Sequence, residues 1–341
     1  MSNTPQNTKA LCFFDYEFSK KHNAFFSLLD TRHIDLCEFE KNFSIQLPED
    51  FSSIYVYETL TSTLDKAHYL VEQKVFSPFT SVICHEQTAG RGQLRRKWES
   101  LTENLYVAIA LPNSYPFNTE AAAPAFGAIV AQALDNLGLK VALKWPNDLV
   151  QNKDNSYQKV GGILLEERND VLIAGMGINL FSSPSDMELR EDFFISAGQL
   201  ANFKEKNMIN LFNQVAYNIF SDDKNNSQNN INNIDILCNE NNRFITILGF
   251  WLALVKEIKL CYENRIKSKD PLVWLSICKK YLAFLGDNVL IKQALTKNNF
   301  QNEDCCENIY GQIVSIGEEG QLVLSSESGL IEIIGGSITK G

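Results

Sequence analysis

The sequence predicts an α/β (α+β) fold that ends in a small all-β module, and three observations lead there. From Ser53 onward, short runs of β-branched and aromatic residues alternate with segments of helical periodicity. A chain of 341 residues with 45% hydrophobic content has the material for a sizeable core and for two or three domains. After Gly286 the pattern changes to short strands separated by turn residues.

Residues 1–52 carry aromatic pieces such as Leu11–Phe14 and Phe25–Phe26 but no helix-turn-helix pattern, and their role stays open. SIYVYE, from Ser53, reads as the first strand. Ser62 or Thr63 then caps a helix running through His68 and Val71. TSVICHE at 80–86 and NLYVAIAL at 104–111 are strands, and the polar, basic, glycine-containing stretch 87–98 between them is a loop. Phe126, Ile129, Val130, Ala133, Leu134 and Leu137 recur at helical spacing, with Pro124 in the first turn and Gly138 at the end. VALK, KVGGILLEE and VLIAGMGINL are further strands. The Asn-rich stretch 221–243 lacks the apolar content to fold alone and reads as a solvent-exposed insertion. Helices follow around 250–266 and 271–284, then strands in NVLIK, IYGQIVSIG, GQLVLSS and LIEII, with a loop at 295–308. These readings divide the chain into 1–52, 53–285 and 286–341.

The net charge of −10 argues against gripping nucleic acid as the main task. The eight cysteines are irregularly spaced with no CxxC pair, which excludes zinc-ribbon and thioredoxin-like motifs. MSNTPQNTKA lacks the apolar core of a signal peptide, and no uncharged apolar run reaches the length of a membrane helix. A cytoplasmic protein with free thiols and no membrane contact is expected.

Four segments carry chemistry. Gln87–Trp98 gathers two glycines with Arg91, Arg95, Arg96 and Lys97, suited to close approach by an anionic ligand. It matches neither a P-loop nor a dinucleotide fingerprint. Lys144–Trp145–Pro146–Asn147–Asp148 joins a stiff turn to an amide and a carboxylate that suit a metal or a nucleophile. Lys159 precedes Gly161 and Gly162 on an apolar strand, where glycine weakens the strand unless something comes close. Gly175–Asn179 repeats the close-approach pattern and ends in an amide. Taken singly, these are also explained by a solvated basic hairpin, an ordinary Pro-Asn-Asp turn and a strand end with a surface lysine and a bulge.

Together, in order, they closely resemble the biotin–protein ligase family. The family's loop GRGRxGRxW stands here as GRGQLRRKW, and KWPNDL is unchanged at 144–149. KVGGILLE corresponds to K-x-x-G-I-L-x-E, GMGINL to G-x-G-I-N, and Ser62–Thr63 to the first two residues of S-T-N. The resemblance covers about 53–341, apart from the Asn-rich insertion and the 295–308 loop. It implies a mixed-sheet ligase catalytic domain of the biotin/lipoate type followed by an SH3-like β-barrel.

The resemblance also implies roles. Ser62, Thr63, Leu64, Gln87, Gly90, Arg91, Gly92, Gln93, Lys159, Gly161 and Gly162 would surround biotin, with Arg91 and Lys159 on its carboxylate. Arg96, Lys97, Trp98, Lys144, Asn147 and Asn179 would bind ATP, Trp98 stacking on adenine. Asn147 and Asp148 would help hold magnesium, and Lys159, Arg91 and Asp148 would be the catalytic group. The implied activity is formation of biotinyl-5′-AMP from biotin and ATP, then transfer to a lysine of a biotin carrier domain such as that of acetyl-CoA carboxylase. DNA binding is not expected, and the four histidines have no required role. Gln93, Arg95 and Leu64 depart from the family's usual Arg, Gly and Asn, which bears on how tightly an adenylate is retained.

Overall fold

The computed structural model of the chain describes residues 11–14, 35–37, 42–48, 51–93, 96–185, 195–220, 243–265, 270–297 and 307–340. The Asn-rich insertion up to residue 242, residues 298–306 of the expected loop, and Leu94 and Arg95 lie outside them. In chain order the elements are β1 (Leu11–Phe14), β2 (Asp35–Cys37), β3 (Asn42–Gln46), β4 (Ile54–Leu60), α1 (Thr63–Glu72), β5 (Ser81–Gln87), β6 (Leu105–Ala110) and α2 (Ala122–Asn136). There follow β7 (Ala142–Lys144), β8 (Asp148–Lys153), β9 (Ser156–Arg168), β10 (Val171–Ile178), α3 (Lys206–Phe220), α4 (Arg243–Arg265) and α5 (Pro271–Tyr281). The last strands are β11 (Asn288–Thr296), β12 (Glu307–Ile316), β13 (Leu322–Ser326) and β14 (Gly329–Lys340). The α/β class and the C-terminal barrel expected from the sequence are both present.

Two compact units divide the chain: residues 1–111, 166–176 and 202–256 form one, and 112–165, 177–201 and 257–341 the other. The first unit is built on strands in the order β2-β3-β1-β4-β5-β6-β10. β4 is parallel to both β1 and β5, while β5 runs antiparallel to β6. Every residue of β6 is buried, as a strand covered on both faces must be. The N-terminal strands, unread in the sequence, thus extend the sheet that carries β4 and β5.

Helix α1 starts where Ser62 accepts a hydrogen bond from the Leu64 amide at 3.2 Å, so of the two candidate caps the serine is used. Its apolar stripe of Leu64, Ala67, Leu70 and Val71 faces inward. On the other side of the core, Trp251 of α4 donates its indole N–H to Ser81 Oγ at 2.9 Å. In the same unit Phe203, Phe212 and Phe250 pack against one another edge-on and face-on.

In the second unit β7, β8 and β9 form antiparallel neighbours in the order β9-β8-β7. Helix α2 is buried along almost its whole length and ends at Leu137, with Gly138 at φ +81°, the left-handed turn that glycine adopts freely. The expected helix and the strands at VALK, KVGGILLEE and VLIAGMGINL are observed, and β8, unread in the sequence, stands between the first two strands. The barrel closes as β11-β12-β13-β14 around Val289, Ile291, Ile313, Leu322, Leu324, Ile333 and Ile338. It joins the rest of its unit through backbone bonds such as Gly286 N–H to Ile313 C=O at 2.8 Å. Among the described residues, no helix is long and apolar enough to cross a membrane.

Candidate functional site

The residues singled out in the sequence fall into two clusters, one in each unit.

In the first unit, the end of β5 meets the start of α1. Gln87 Oε1 accepts from the Thr63 amide at 2.9 Å and from the Thr63 hydroxyl at 3.2 Å, and its Nε2 donates to Ser100 Oγ at 3.2 Å. Ser62, Thr63 and Gln87 therefore stand together at the N-terminus of α1, and their mutual bonds occupy the first amides of the helix. Leu64 lies apart from them: its side chain is buried and a Cβ added at Gly175 would fall 2.8 Å from its Cδ1. As a side chain it packs into the core beside Gly175.

The loop after β5 is a tight hairpin. Trp98 N–H bonds to the Gly90 carbonyl at 3.0 Å, Gly92 N–H to Arg96 at 2.7 Å, and Arg91 and Lys97 form a bridge. Its two glycines differ. A Cβ on Gly90 would lie 2.6 Å from Ser100 Oγ and 2.9 Å from the Trp98 carbonyl, so packing forbids one. Among the described residues, a Cβ on Gly92 would meet nothing nearer than 3.6 Å. Gln93, Arg96 and Lys97 are exposed, and Trp98 is half-buried.

Arg91 points back toward α1. Its Nη1 lies 2.5 Å from Asp65 Oδ1 and its Nη2 lies 3.2 Å from Glu166 Oε2. Burial alone would lower the guanidinium pKa, but the hydrogen bond to Asp65 and the charges of Glu166 and Asp65 outweigh it and hold it above its ordinary value. His68 Nε2 stands 2.6 Å from Glu166 Oε2. Sequence alone nominates neither Asp65 nor His68 for the site, and Glu166 only as the last residue of KVGGILLE. Their separations of 26, 75 and 98 positions leave no local pattern to find.

In the second unit, Asp148 is the hub. Lys159 Nζ is 2.6 Å from its Oδ1 and Lys144 Nζ is 3.4 Å from its Oδ2. Burial pushes the Asp148 carboxyl up, but the Lys159 and Lys144 ammonium groups prevail and hold it below the usual carboxylate range. The β7–β8 hairpin and the pairing of β8 with β9 bring the three side chains together. Two lysines sharing one carboxylate leave a positive surplus, suited to phosphate and carboxylate.

The neighbouring amides have structural work. Asn147 donates Nδ2 to the Ile163 carbonyl at 2.5 Å, and Asn179 donates Nδ2 to the Gly198 carbonyl at 3.0 Å. Both are buried. A Cβ on Gly161 would sit 2.8 Å from the Gly177 carbonyl, so this glycine serves strand-to-strand contact rather than ligand clearance. Gly162 is half-buried opposite Asp148.

The Asn147–Asp148 pair does not fit the magnesium site it suggested. The Asp148 carboxylate is shared by two ammonium groups, which compete with a cation for it. Among the described residues, no group of three or more His, Cys, Asp or Glu side chains is arranged to hold a metal ion.

Residues 57–180 match the family described as Biotin/lipoate A/B protein ligase. The relatives include the "Bifunctional ligase/repressor BirA" of Bacillus subtilis (strain 168), 25% identical over 323 residues that cover 90% of this chain and 79% of that protein. A protein of the same name from Bacillus spizizenii is 24% identical over the same shares. Among solved structures, the fold resembles the biotin protein ligase from Aquifex aeolicus in complex with biotin and ATP. That likeness has 23% identity and a TM-score of 0.51, and covers 85% of this chain and 98% of the other. A mutant of the Aquifex aeolicus enzyme in complex with biotin aligns at 21% identity and a TM-score of 0.53, over 84% and 98% of the two chains.

Proposed function

Residues 57–180 belong to the biotin/lipoate A/B protein ligase family, and from that premise we propose that the chain is an ATP-dependent biotin–protein ligase. In the first step a biotin carboxylate oxygen attacks the α-phosphorus of ATP, forming the mixed anhydride biotinyl-5′-AMP and releasing pyrophosphate. In the second a carrier lysine amine attacks the acyl carbon, forms the amide, loses a proton and expels AMP. The acceptor is the carrier domain of a biotin-dependent carboxylase such as acetyl-CoA carboxylase.

The observation that carries this reading is the family match, which contains the Gly90–Trp98 hairpin, the Lys144–Asp148 turn and Lys159. Two anions must be brought together in the first step, and cations that touch both offset their repulsion. Arg91 and Lys159 take the biotin carboxylate. Lys144, Arg96 and Lys97 take phosphate, and Trp98 offers its indole face to adenine. Asp148 keeps the ammonium groups of Lys144 and Lys159 oriented between turnovers. Magnesium arrives with the triphosphate as its counter-ion.

The test is pyrophosphate release with biotin, ATP and magnesium, with lipoate as the competing acid, followed by transfer to a purified carrier domain. Release above background with biotin, and not with lipoate, is expected. Background release with biotin overturns the reading.

No DNA-binding role is proposed. The net charge of −10 and the pairing of β1 with β4 support a sheet rather than a recognition module at the described N-terminal residues. A sequence-specific, salt-sensitive gel shift at nanomolar protein would reverse this.

A further inference from the structure

Arg91 meets two carboxylates before any substrate arrives, and they are held differently. Glu166 extends from β9 and is braced by His68 Nε2 at 2.6 Å; the two side chains are 29% and 18% exposed. Asp65 is 45% exposed, and its second oxygen accepts from Thr61 Oγ1 at 3.2 Å. The shorter bond to Arg91, 2.5 Å against 3.2 Å, is nevertheless the one to the more exposed partner. Arg91 is one cation between two carboxylates, so a further carboxylate is repelled while both acids remain in place.

We propose that Asp65 is the exchangeable counter-ion of Arg91 and so sets the affinity for the carboxylate substrate, while Glu166, braced by His68, is a positioning residue that aims the guanidinium. The inference rests on the ligase reading and specifies an event within it: the substrate carboxylate takes the Nη1 hydrogen bond that Asp65 gives up. A guanidinium presents its N–H groups in a rigid plane, so one edge can change partner while the other stays fixed. Released, Asp65 remains in the first turn of α1, where the positive end of the helix dipole favours a negative charge. Its departure is therefore cheap. Exposed ion pairs of this kind change an equilibrium constant by about two- to fivefold.

Asp65 also has an ordinary reason to be acidic, since it stands three residues after the Ser62 cap. That accounts for the residue type but not for a guanidinium seated on it. Asparagine and serine both tolerate a first helical turn, so substitution by either separates the two roles.

The experiment is steady-state pyrophosphate release by the full chain at saturating ATP and magnesium with biotin varied. It compares wild type, Asp65→Asn, Asp65→Ser, Asp65→Glu and Glu166→Gln, each checked for folding by thermal unfolding. Asp65→Asn and Asp65→Ser should lower KM for biotin about two- to fivefold and leave KM for ATP near wild type. The gain should fade as salt is raised, because exposed charges are screened over about 8 Å at physiological ionic strength. Asp65→Glu should restore the wild-type KM, and Glu166→Gln should raise it. Wild type that turns over biotin, with folded Asp65→Asn and Asp65→Ser showing an unchanged or higher KM, overturns the exchange and leaves the ligase reading standing. Wild type without biotin-dependent release overturns both.

Discussion

Trp145 donates its indole N–H to the carbonyl of Gly320 at 2.7 Å, so the turn between β12 and β13 of the barrel holds the middle of the Lys144–Asp148 segment. Trp145 is buried, and the bond spans 175 positions. The barrel is thereby a structural neighbour of Lys144 and Asp148 within the second unit. Gly320 has φ +84°, and a Cβ there would lie 2.8 Å from Ala121 Cα. Gly320→Ala should therefore cost about 1–3 kcal/mol from the backbone conformation, with the clash added. Trp145→Phe should cost about 1–3 kcal/mol by leaving a buried carbonyl without its donor. Urea unfolding and adenylation measured together test this. A Trp145→Phe protein with wild-type stability and activity would show that the bond holds nothing.

Lys159→Ala should leave the fold intact, because the ammonium group is partly exposed and its partner Asp148 keeps Lys144. Adenylate formation should fall about 100- to 1,000-fold, the usual loss when a donor acting on developing charge is removed. Single-turnover formation of biotinyl-5′-AMP is the measurement. A folded variant that forms it at the wild-type rate would remove Lys159 from the chemistry.

Asp148 makes stability depend on acidity in a defined direction. Its carboxyl titrates below the ordinary range in the folded chain. The stabilisation is therefore complete above the unfolded-state pKa of about 3.9 and is lost as pH falls through the lower folded value. Asp148→Asn should lower the unfolding free energy by about 2 kcal/mol at pH 7, the scale of a hydrogen bond to a charged group. The gap to wild type should hold from pH 7 to about 5 and close below about 4. Urea midpoints across that series decide it; a gap that stays constant into acid would mean that the carboxylate charge contributes nothing.

The two hairpin glycines should part company on substitution. Gly90→Ala meets Ser100 Oγ and the Trp98 carbonyl and should destabilise the chain by about 1–3 kcal/mol. Gly92→Ala meets no close atom among the described residues and should leave the melting temperature unchanged. Its cost should appear as weaker binding of biotin or ATP, since the room at Gly92 then serves a ligand. Equal affinity for both in Gly92→Ala would make that glycine incidental.

The alternation of apolar strands and helices made β4 to β7, β9, β10 and α2 legible, down to Gly138 as the terminator of α2, whereas β8 was hidden behind the Pro-Asn-Asp turn. Strands β1 to β3 were not legible, because three to five residues with no alternation become strands only through partners such as β4. The Lys144, Asp148 and Lys159 cluster was nominated by motif and is assembled by the β7–β8–β9 register. Asn147 and Asn179 illustrate a limit of residue type. An amide chosen for a ligand and one chosen for a backbone carbonyl are the same letter, and here both hold carbonyls. The acidic setting of Arg91 comes from three residues that meet only when the first unit folds.

The seating of Leu64 against Gly175 has a consequence for how this sequence can drift over generations. Neither position is free to change alone: a side chain at 175 collides with Leu64, and a small residue at 64 leaves a hole beside a glycine that cannot fill it. Gly175→Ala and Leu64→Ala should each be harmful, yet the double substitution should be milder than their sum, because the added methyl enters the vacated space. With the shorter Asn at position 64, Gly175→Ala should therefore cost less than it does beside leucine.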